Sequence, residues 1–371
     1  MKRIAIVAGT RPDIIKLFPV WEALREFPSL DVKTISSGQQ AEMADDTFAV
    51  FNWKPDIKCW MDNTTKAFLP TMLSYMTKHI GFVLHDWDPV LTIVHGDVMT
   101  ALAAAQAAFL QHIPVAHVEA GLRVARFEEP FPEEAVRRMI AQITTLHFAP
   151  TQQAQLNLEL EGIPRDSIMV TGNTVVDALL RILSQPLPAL PHFLDPKWRT
   201  ERPLVLITCH RRESLGAHLQ ALAERVQRWS EQYPEVCFVW PVHANTQVRA
   251  CVDRVIGNAT RENLTLIGPL TYLIFSHLLL AADIVITDSG GVLEEATVLG
   301  KRTFVLRRVT ERPEALAYEH VTLVGYDFPL LDTYLATELG ASRGEVVHPL
   351  SVFGDGMAGR RIAERIVQFL A

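Results

Sequence analysis

The chain has 371 residues, 49% hydrophobic and 21% charged, with a formal net charge of −7 at pH 7. That length exceeds what one compact core holds and suits two domains. The composition is that of an ordinary globular protein, and the negative balance argues against a nucleic-acid footprint. The four cysteines, Cys59, Cys209, Cys237 and Cys251, are scattered without C-x-x-C spacing. This argues for a reducing compartment and against a structural zinc site.

The first segment, MKRIAIVAGTRP, carries an apolar run of only IAIVA and ends without a small-residue cleavage site, so a buried first strand is expected. Short apolar, β-branched runs then alternate with helix-period segments. Strands are expected at Arg3 to Ala8, Asp31 to Ser36, Pro89 to His95, Val115 to Glu119, His147 to Ala149 and Ser167 to Thr171. Helices are expected at Asp13 to Phe27, Lys66 to His85, Met99 to Gln111, Glu134 to Thr144 and Thr151 to Glu161. Continuous apolar strands with helices between them are the pattern of a parallel sheet covered on both faces. The proline-rich stretch Gln185 to Pro196 reads as a linker or surface excursion. After it the alternation restarts with LVLITC, VCFVWPV, LTLIGPL, ADIVITD and RTFVLR. The longest apolar stretch, Tyr272 to Ile286, is broken by His277 and Asp283 and is too short to span a bilayer. A cytoplasmic protein with no membrane segment is expected.

The fold class is therefore α/β, with two Rossmann-like doubly wound domains, 1–175 and 176–352. An amphipathic closing helix within 353–371 is expected to return to the first domain. Ligands of such sheets bind at the carboxyl ends of the strands, and the cleft between two such domains is the default site.

Polar residues cluster where these strands end. GTRPDIIK follows the first strand and places Arg11 and Lys16 near a helix N-terminus, either as an anion site or as solvated loop charges. LTIVHGD ends in Asp97, which is either a helix N-cap or a functional acid. HVEAGLRVARFEEPFPEE carries five glutamates, at 119, 128, 129, 133 and 134. Glu119 is a poor cap and a poor strand residue, which favours a functional role. In the second half, LVLITCHRRES places His210, Arg211, Arg212 and Glu213 after a strand, and VCFVWPVHAN places His243 similarly. IVITDSGGVLEEA ends a buried strand at Asp288 and opens a helix with Ser289, Gly290 and Gly291, whose free N–H groups suit a diphosphate. Glu294 and Glu295 read as first-turn acids, one of which suits a ribose diol. TERPE adds Arg312. Cations and N–H donors for a diphosphate, with Asp97, Glu119 and Glu133 for proton transfer, point to a nucleotide-sugar enzyme. No Walker A pattern is present, and the first βα turn lacks GxGxxG.

The ordered set GTRPDIIKLFP, VHGD, HVEAGLR, PFPEE with Arg137, FAPT, VTGNTVVDAL, HRRES, PVH, TDSGG with EEA, LGK, TERPE and FGDG resembles the bacterial non-hydrolysing UDP-N-acetylglucosamine 2-epimerases, nearly end to end. The resemblance implies a glycosyltransferase-B arrangement with an inter-domain active-site cleft, a homodimer, and no metal or redox cofactor. It implies interconversion of UDP-GlcNAc and UDP-ManNAc through elimination and re-addition of UDP. By position it implies Asp97, Glu119, Glu133 and His210 as catalytic residues. Substrate contacts fall on Arg11, Lys16, Arg137, Ser289, Gly290, Gly291, Glu295 and Arg312. Glu128 and Glu129 fall outside the motif and read as solvated. A second, allosteric UDP-sugar site is implied at Gln39, Arg211, Glu213 and His243, although Glu42 stands where activated enzymes carry glutamine.

The chain departs from the family pattern at Val98 and Met99, at Val136, at Leu293, and at Tyr318, Glu319 and His320. Read as pocket-wall changes, these bear on the identity of the sugar more than on the reaction. Another UDP-2-acetamido sugar is one alternative substrate. A hydrolysing epimerase, a retaining glycosyltransferase and a non-catalytic UDP-sugar binder are the competing functions. The intact HRRES and TERPE motifs count against the first. The HVEAG and PFPEE acids count against the second, and the four candidate catalytic residues against the third.

Overall fold

The computed structural model describes residues 1–371 apart from 125–126, 128–130, 188–201, 212–213, 258–260 and 341–350. The chain divides into two units, Met1–Arg181 with Val352–Ala371, and Ile182–Ser351.

The sheet of the first unit holds β1 (Lys2–Ala8), β2 (Leu30–Ser36), β3 (Ile57–Lys58), β4 (Leu91–His95), β5 (Val115–Val118), β6 (Leu146–Ala149) and β7 (Ile168–Val170). The strands are parallel in the order β3-β2-β1-β4-β5-β6-β7. Every residue of β4, β5 and β6 is buried, as the unbroken apolar runs require when helices cover both faces. Those helices are α1 (Arg11–Leu24), α2 (Ala41–Val50), α3 (Asn63–Lys66), α4 (Leu69–Trp87), α5 (Met99–Phe109), α6 (Glu133–Gln142), α7 (Gln152–Leu160) and α8 (Thr174–Leu183). The core between them holds Met72, Met76, Ile80 and Leu84 of α4 against the alanine-rich α5.

Two elements were not legible as periodic runs. β3 has two residues, and α2 carries three carboxylates in ten residues while burying only Ala44, Thr47 and Phe48. α1 begins at Arg11 rather than Asp13, because the Asp13 carboxylate accepts the Thr10 N–H at 2.7 Å and caps the helix from inside. The expected domain break at residue 175 precedes the body of α8. That helix stays with the first unit to Arg181, where Asp177 accepts the Gly359 N–H at 2.8 Å. Gly359 lies at the start of the closing helix, α14 (Ala358–Leu370).

The second unit repeats the plan. β8 (Leu204–Thr208), β9 (Cys237–Pro241), β10 (Leu264–Ile267), β11 (Ile284–Thr287), β12 (Arg302–Val305) and β13 (Val321–Leu323) run parallel in the order β10-β9-β8-β11-β12-β13. The helices are α9 (Ala217–Gln232), α10 (Thr246–Val255), α11 (Tyr272–Ala281), α12 (Gly290–Val298) and α13 (Phe328–Gly340). Trp229, Phe238, Trp240 and Phe304 anchor its core. The proline-rich stretch lies outside the described residues from 188 onward. Among the described residues no helix is long and apolar enough to cross a membrane.

Both sheets reverse strand order at one point, between β1 and β4 and between β8 and β11. In doubly wound sheets that reversal opens a crevice at the strand carboxyl ends. The loops after these four strands are the ones that carry Arg11, Asp97, His210 and Ser289.

Candidate active site

In the first unit the loop after β1 is built around Asp13. This side chain is 1% exposed and accepts from Gly9 N (2.9 Å), Thr10 N, Thr10 Oγ1 (2.7 Å) and Ile14 N (3.1 Å). Burial pushes its carboxyl up, opposed by the hydrogen bonds from Thr10 and Gly9. The loop presents Arg11 as the first residue of α1 and carries Lys16 one turn further on. Lys16 is buried and ion-paired with Glu119.

Glu119 follows β5 with φ of 63°, a left-handed backbone that a non-glycine residue adopts at a cost. Its carboxylate is buried. Besides Lys16 Nζ, Oε2 accepts from Asn173 Nδ2 at 2.8 Å and lies 3.7 Å from His95 Nε2. The neighbouring turn is propped by His117, which bridges Nε2 to the Gly96 carbonyl at 2.8 Å. Burial drives the His117 imidazole down to about 3, so it stays neutral and donates.

Asp97 is not the cap of α5. Val98 occupies that position, and the Asp97 carboxylate is ion-paired with Arg137 Nη1. Arg137 is 2% exposed, and its Nε and Nη2 reach Glu134 Oε2 at 3.2 and 3.1 Å. Glu134 is fully buried and also accepts from Val124 N (3.1 Å) and Arg138 Nε (2.7 Å). Glu133, the first residue of α6, is only half-buried. The two adjacent glutamates thus part company: Glu134 is a structural anion that holds Arg137 and, through it, Asp97. Glu128 and Glu129 lie outside the described residues.

In the second unit the buried Asp288 organises the end of β11. Its Oδ2 accepts the backbone N–H groups of His210 and Arg211, both at 2.8 Å, and Oδ1 lies 3.4 Å from His210 Nδ1. The His210 ring stacks on His243, with centroids 5.0 Å apart. Ser289 caps α12 by accepting from Val292 N at 3.5 Å. A Cβ on Gly290 would stand 2.5 Å from Arg312 Nη1, so only glycine admits the guanidinium there. A Cβ on Gly291 would meet nothing within 4 Å, which leaves that backbone open to a ligand. Arg312 binds Glu294 through Nε (2.5 Å) and Glu311 through Nη1 (2.6 Å). Glu311 also takes Arg307 Nη1 (2.5 Å) and lies 3.7 Å from Arg211 Nη2. Three arginines around two buried carboxylates leave a net positive cluster, which suits a diphosphate.

Glu294 and Glu295 lie in the second turn of α12, not the first as expected, because the helix starts at Gly290. Glu295 is buried and accepts from Tyr272 Oη at 2.8 Å. Glu294 is the arginine partner. The candidate allosteric residues divide between the units. Gln39 belongs to the first, where Oε1 accepts from Thr100 N (3.0 Å) and Oγ1 (2.7 Å). Arg211 and His243 belong to the second, and Glu213 lies outside the described residues. Glu42 is exposed in the first turn of α2.

Three of the four apolar departures, Met99, Val136 and Leu293, are buried rather than on a pocket wall as expected, and Val98 is half-buried. Val136 and Leu293 are each 1% exposed, and Met99 and Val136 belong to the first unit's core. The His320 carbonyl takes Thr303 N at 2.8 Å beside β12 and β13.

Sequence reasoning passed over Asp13, Glu134, Asn173, Asp288, Tyr272, Arg307 and Glu311 as site-builders. All are buried polar residues; Asp13 holds its own loop and the others bond site groups. Asp288 and Asn173 did carry a signal, because each ends a strand inside a motif. Among the described residues no group of three His, Cys, Asp or Glu side chains is placed to hold a metal ion.

A family model described as UDP-N-acetylglucosamine 2-epimerase matches residues 22–367. A UDP-N-acetylglucosamine 2-epimerase of Yersinia pestis is 36% identical over 376 residues, covering 98% of each chain. Among solved structures, the UDP-GlcNAc 2-epimerase of Neisseria meningitidis bound to UDP-GlcNAc is similar with a TM-score of 0.89 and 34% identity, covering 99% of this chain and 100% of that one. The UDP-GlcNAc 2-epimerase of Methanocaldococcus jannaschii, in complex with UDP-GlcNAc and UDP, is similar with a TM-score of 0.82 and 30% identity, covering 99% of each.

Proposed function

The chain belongs to the UDP-N-acetylglucosamine 2-epimerase family, and from that premise we propose that it interconverts UDP-GlcNAc and UDP-ManNAc without net hydrolysis. The observation that carries this reading is Glu119, a buried carboxylate held in a left-handed backbone at a strand end and ion-paired with Lys16. Strained backbone of this kind clusters at active sites. The carboxylate suits proton transfer or stabilisation of positive charge on a sugar ring.

The C2 hydrogen of the sugar is not acidic, so the reaction runs by elimination. A base takes the C2 proton as the C1–O bond to UDP breaks, in an anti sense, leaving a 2-acetamidoglucal and UDP. UDP then re-adds at C1 in a syn sense while C2 receives a proton on the opposite face. Asp97, Glu119 and Glu133 come from three separate supports, the ends of β4 and β5 and the start of α6, which suits work on two faces of one ring. In the second unit the open N-terminus of α12, Ser289, Gly291 and the arginine cluster suit the departing diphosphate. His210, oriented by Asp288, suits proton traffic or charge neutralisation at that leaving group.

Proton NMR of UDP-GlcNAc with the purified protein in D₂O tests this. Deuterium entering C2 as UDP-ManNAc appears is the expected result. Stoichiometric UDP with free N-acetylmannosamine would move the protein to hydrolysing chemistry. Absence of exchange, with UDP still binding by calorimetry, would overturn UDP-GlcNAc as substrate.

A further inference from the structure

The FGDG motif near the C-terminus touches none of the reacting groups proposed above, yet it is built into the first unit next to one of them. Phe353 O accepts the Asn173 N–H at 2.7 Å. A Cβ on Gly172 would stand 3.1 Å from Gly354 Cα, and one on Gly354 would stand 3.2 Å from Gly172 Cα. Both glycines have positive φ, 87° and 123°. Two backbones therefore cross at a distance that only this pair of residues permits. Asp355 completes the clamp. It binds Arg361 through both oxygens at 2.7 Å, and Arg361 Nη1 donates to Thr171 O at 3.0 Å.

The clamped loop ends in Asn173, which is 2% exposed. Its Oδ1 accepts from Val175 N at 3.0 Å, and that bond fixes the amide orientation. Nδ2 then faces the opposite way, and it donates to Glu119 Oε2 at 2.8 Å. Lys16 Nζ binds the same oxygen, and His95 Nε2 lies 3.7 Å from it. A carboxylate gripped on one oxygen by donors from α1 and from the loop after β7 has its plane set by them. Glu119 needs that support, because its own backbone is in a strained region that does not hold itself.

We propose that Asn173 is a positioning residue for Glu119 and that the FGDG segment is its brace, so that the C-terminal return of the chain acts on the acid–base step. This rests on the reading of Glu119 as a reacting group. The brace explains why two motifs far apart in sequence, VTGN and FGDG, each need a glycine at the crossing.

The experiment compares wild type, Asn173→Ala and Asn173→Asp by C2 deuterium exchange, steady-state kinetics and UDP binding. Asn173→Ala is expected to lower kcat about 10- to 100-fold, the scale of a misplaced reacting group, with KM within about twofold and UDP affinity unchanged. Asn173→Asp keeps the shape and serves if the alanine variant melts. Its carboxylate faces Glu119 together with Lys16 and His95, and it is expected to move the acidic limb of the kcat profile to higher pH. Wild-type exchange with kcat within about twofold in both variants overturns the proposal and leaves the epimerase reading standing. So does a fall in UDP affinity parallel to kcat, since a merely structural role produces that. A silent wild type overturns both.

Discussion

Glu133 and Glu134 adjoin in sequence, and the geometry assigns them opposite consequences on substitution. Glu134→Gln preserves shape but removes the anion against which Arg137 and Arg138 rest. Arg138 is 35% exposed and also pairs with Glu161 at 3.2 Å, so solvent and that partner absorb most of its loss. Arg137 is 2% exposed and loses its buried anion, keeping the ion pair with Asp97, whose side chain is 29% exposed. The glutamine amide makes matters worse. Its oxygen can accept from one arginine, but its NH₂ then points at the donors of the other or at Val124 N. Removing one partner of a buried ion pair costs about 3–5 kcal/mol. For a unit of this size that is a fall of roughly 6–20 °C in its melting transition. Glu133→Gln, at a half-buried helix start, is expected to leave that transition within about 2 °C and to lower kcat by about 100-fold or more. Differential scanning calorimetry of the full chain, with C2-exchange kinetics on the same samples, reads both. If Glu134→Gln melts like wild type, the buried triad is not the support described above. If Glu133→Gln melts as far as Glu134→Gln, the assignment of roles between the neighbours is wrong.

Acid should destabilise the first unit through its buried histidines. His117 sits at about 3 and His147 at about 4 when folded, both pushed down by burial from 6.5. The unfolded chain therefore binds more protons between these values and 6.5. Stability is full above 6.5 and declines as pH falls toward 3. For His117 alone the loss at pH 5 is about 2 kcal/mol, and His117→Gln, which keeps a neutral donor for Gly96 O, should flatten the melting temperature between pH 7.5 and 5. Gly290→Ala should displace Arg312 and weaken UDP binding by about tenfold or more, with a lowered melting temperature. Gly291→Ala has room for its methyl, so isothermal calorimetry should show weaker UDP binding at an unchanged melting temperature; unchanged affinity would mean that no ligand approaches that backbone. Asp288→Asn retains acceptors for the two backbone N–H groups but turns an NH₂ toward His210 Nδ1, forcing the other tautomer. An expected loss of about 10- to 100-fold in kcat at unchanged UDP affinity would be absent if His210 works without its carboxylate.

The fold was legible because continuous apolar strands such as LTIVH and IVIT leave few other arrangements, and their ends carried the polar residues that strand-end chemistry needs. What escaped was support. Asp13 reads as an ordinary first-turn acid, and nothing local says that it receives four donors from its own loop. Glu134 and Glu133 are the same residue type one position apart. Only the 100° step of a helix separates their environments, and its phase depends on where α6 starts, which is set by tertiary contacts. Glu294 was placed one turn too early for the same reason. Asn173 sat in a recognised motif without a role, since its partner Glu119 lies more than fifty positions away in sequence.

The burial of Val136 and Leu293 changes what those departures mean. A valine in the first unit's core cannot reject or admit a sugar substituent that it does not touch. Its effect must pass through α6, where Arg137 is its neighbour in sequence and Glu133 lies one turn earlier. The same holds for Leu293, one residue before the arginine partner Glu294 on α12. Substituting either is therefore expected to move the position of a charged neighbour by fractions of an ångström, which alters rate before it alters choice of sugar. A change of sugar has to be sought among the departures that are not buried, Val98, Tyr318, Glu319 and His320. The buried departures therefore give no ground for preferring a UDP-2-acetamido sugar with further substituents over UDP-GlcNAc. Measured kcat/KM for the two classes, in wild type and in Val136→Asn, separates the cases. A switch of preferred sugar in that single variant would show that the core position reads the substrate after all.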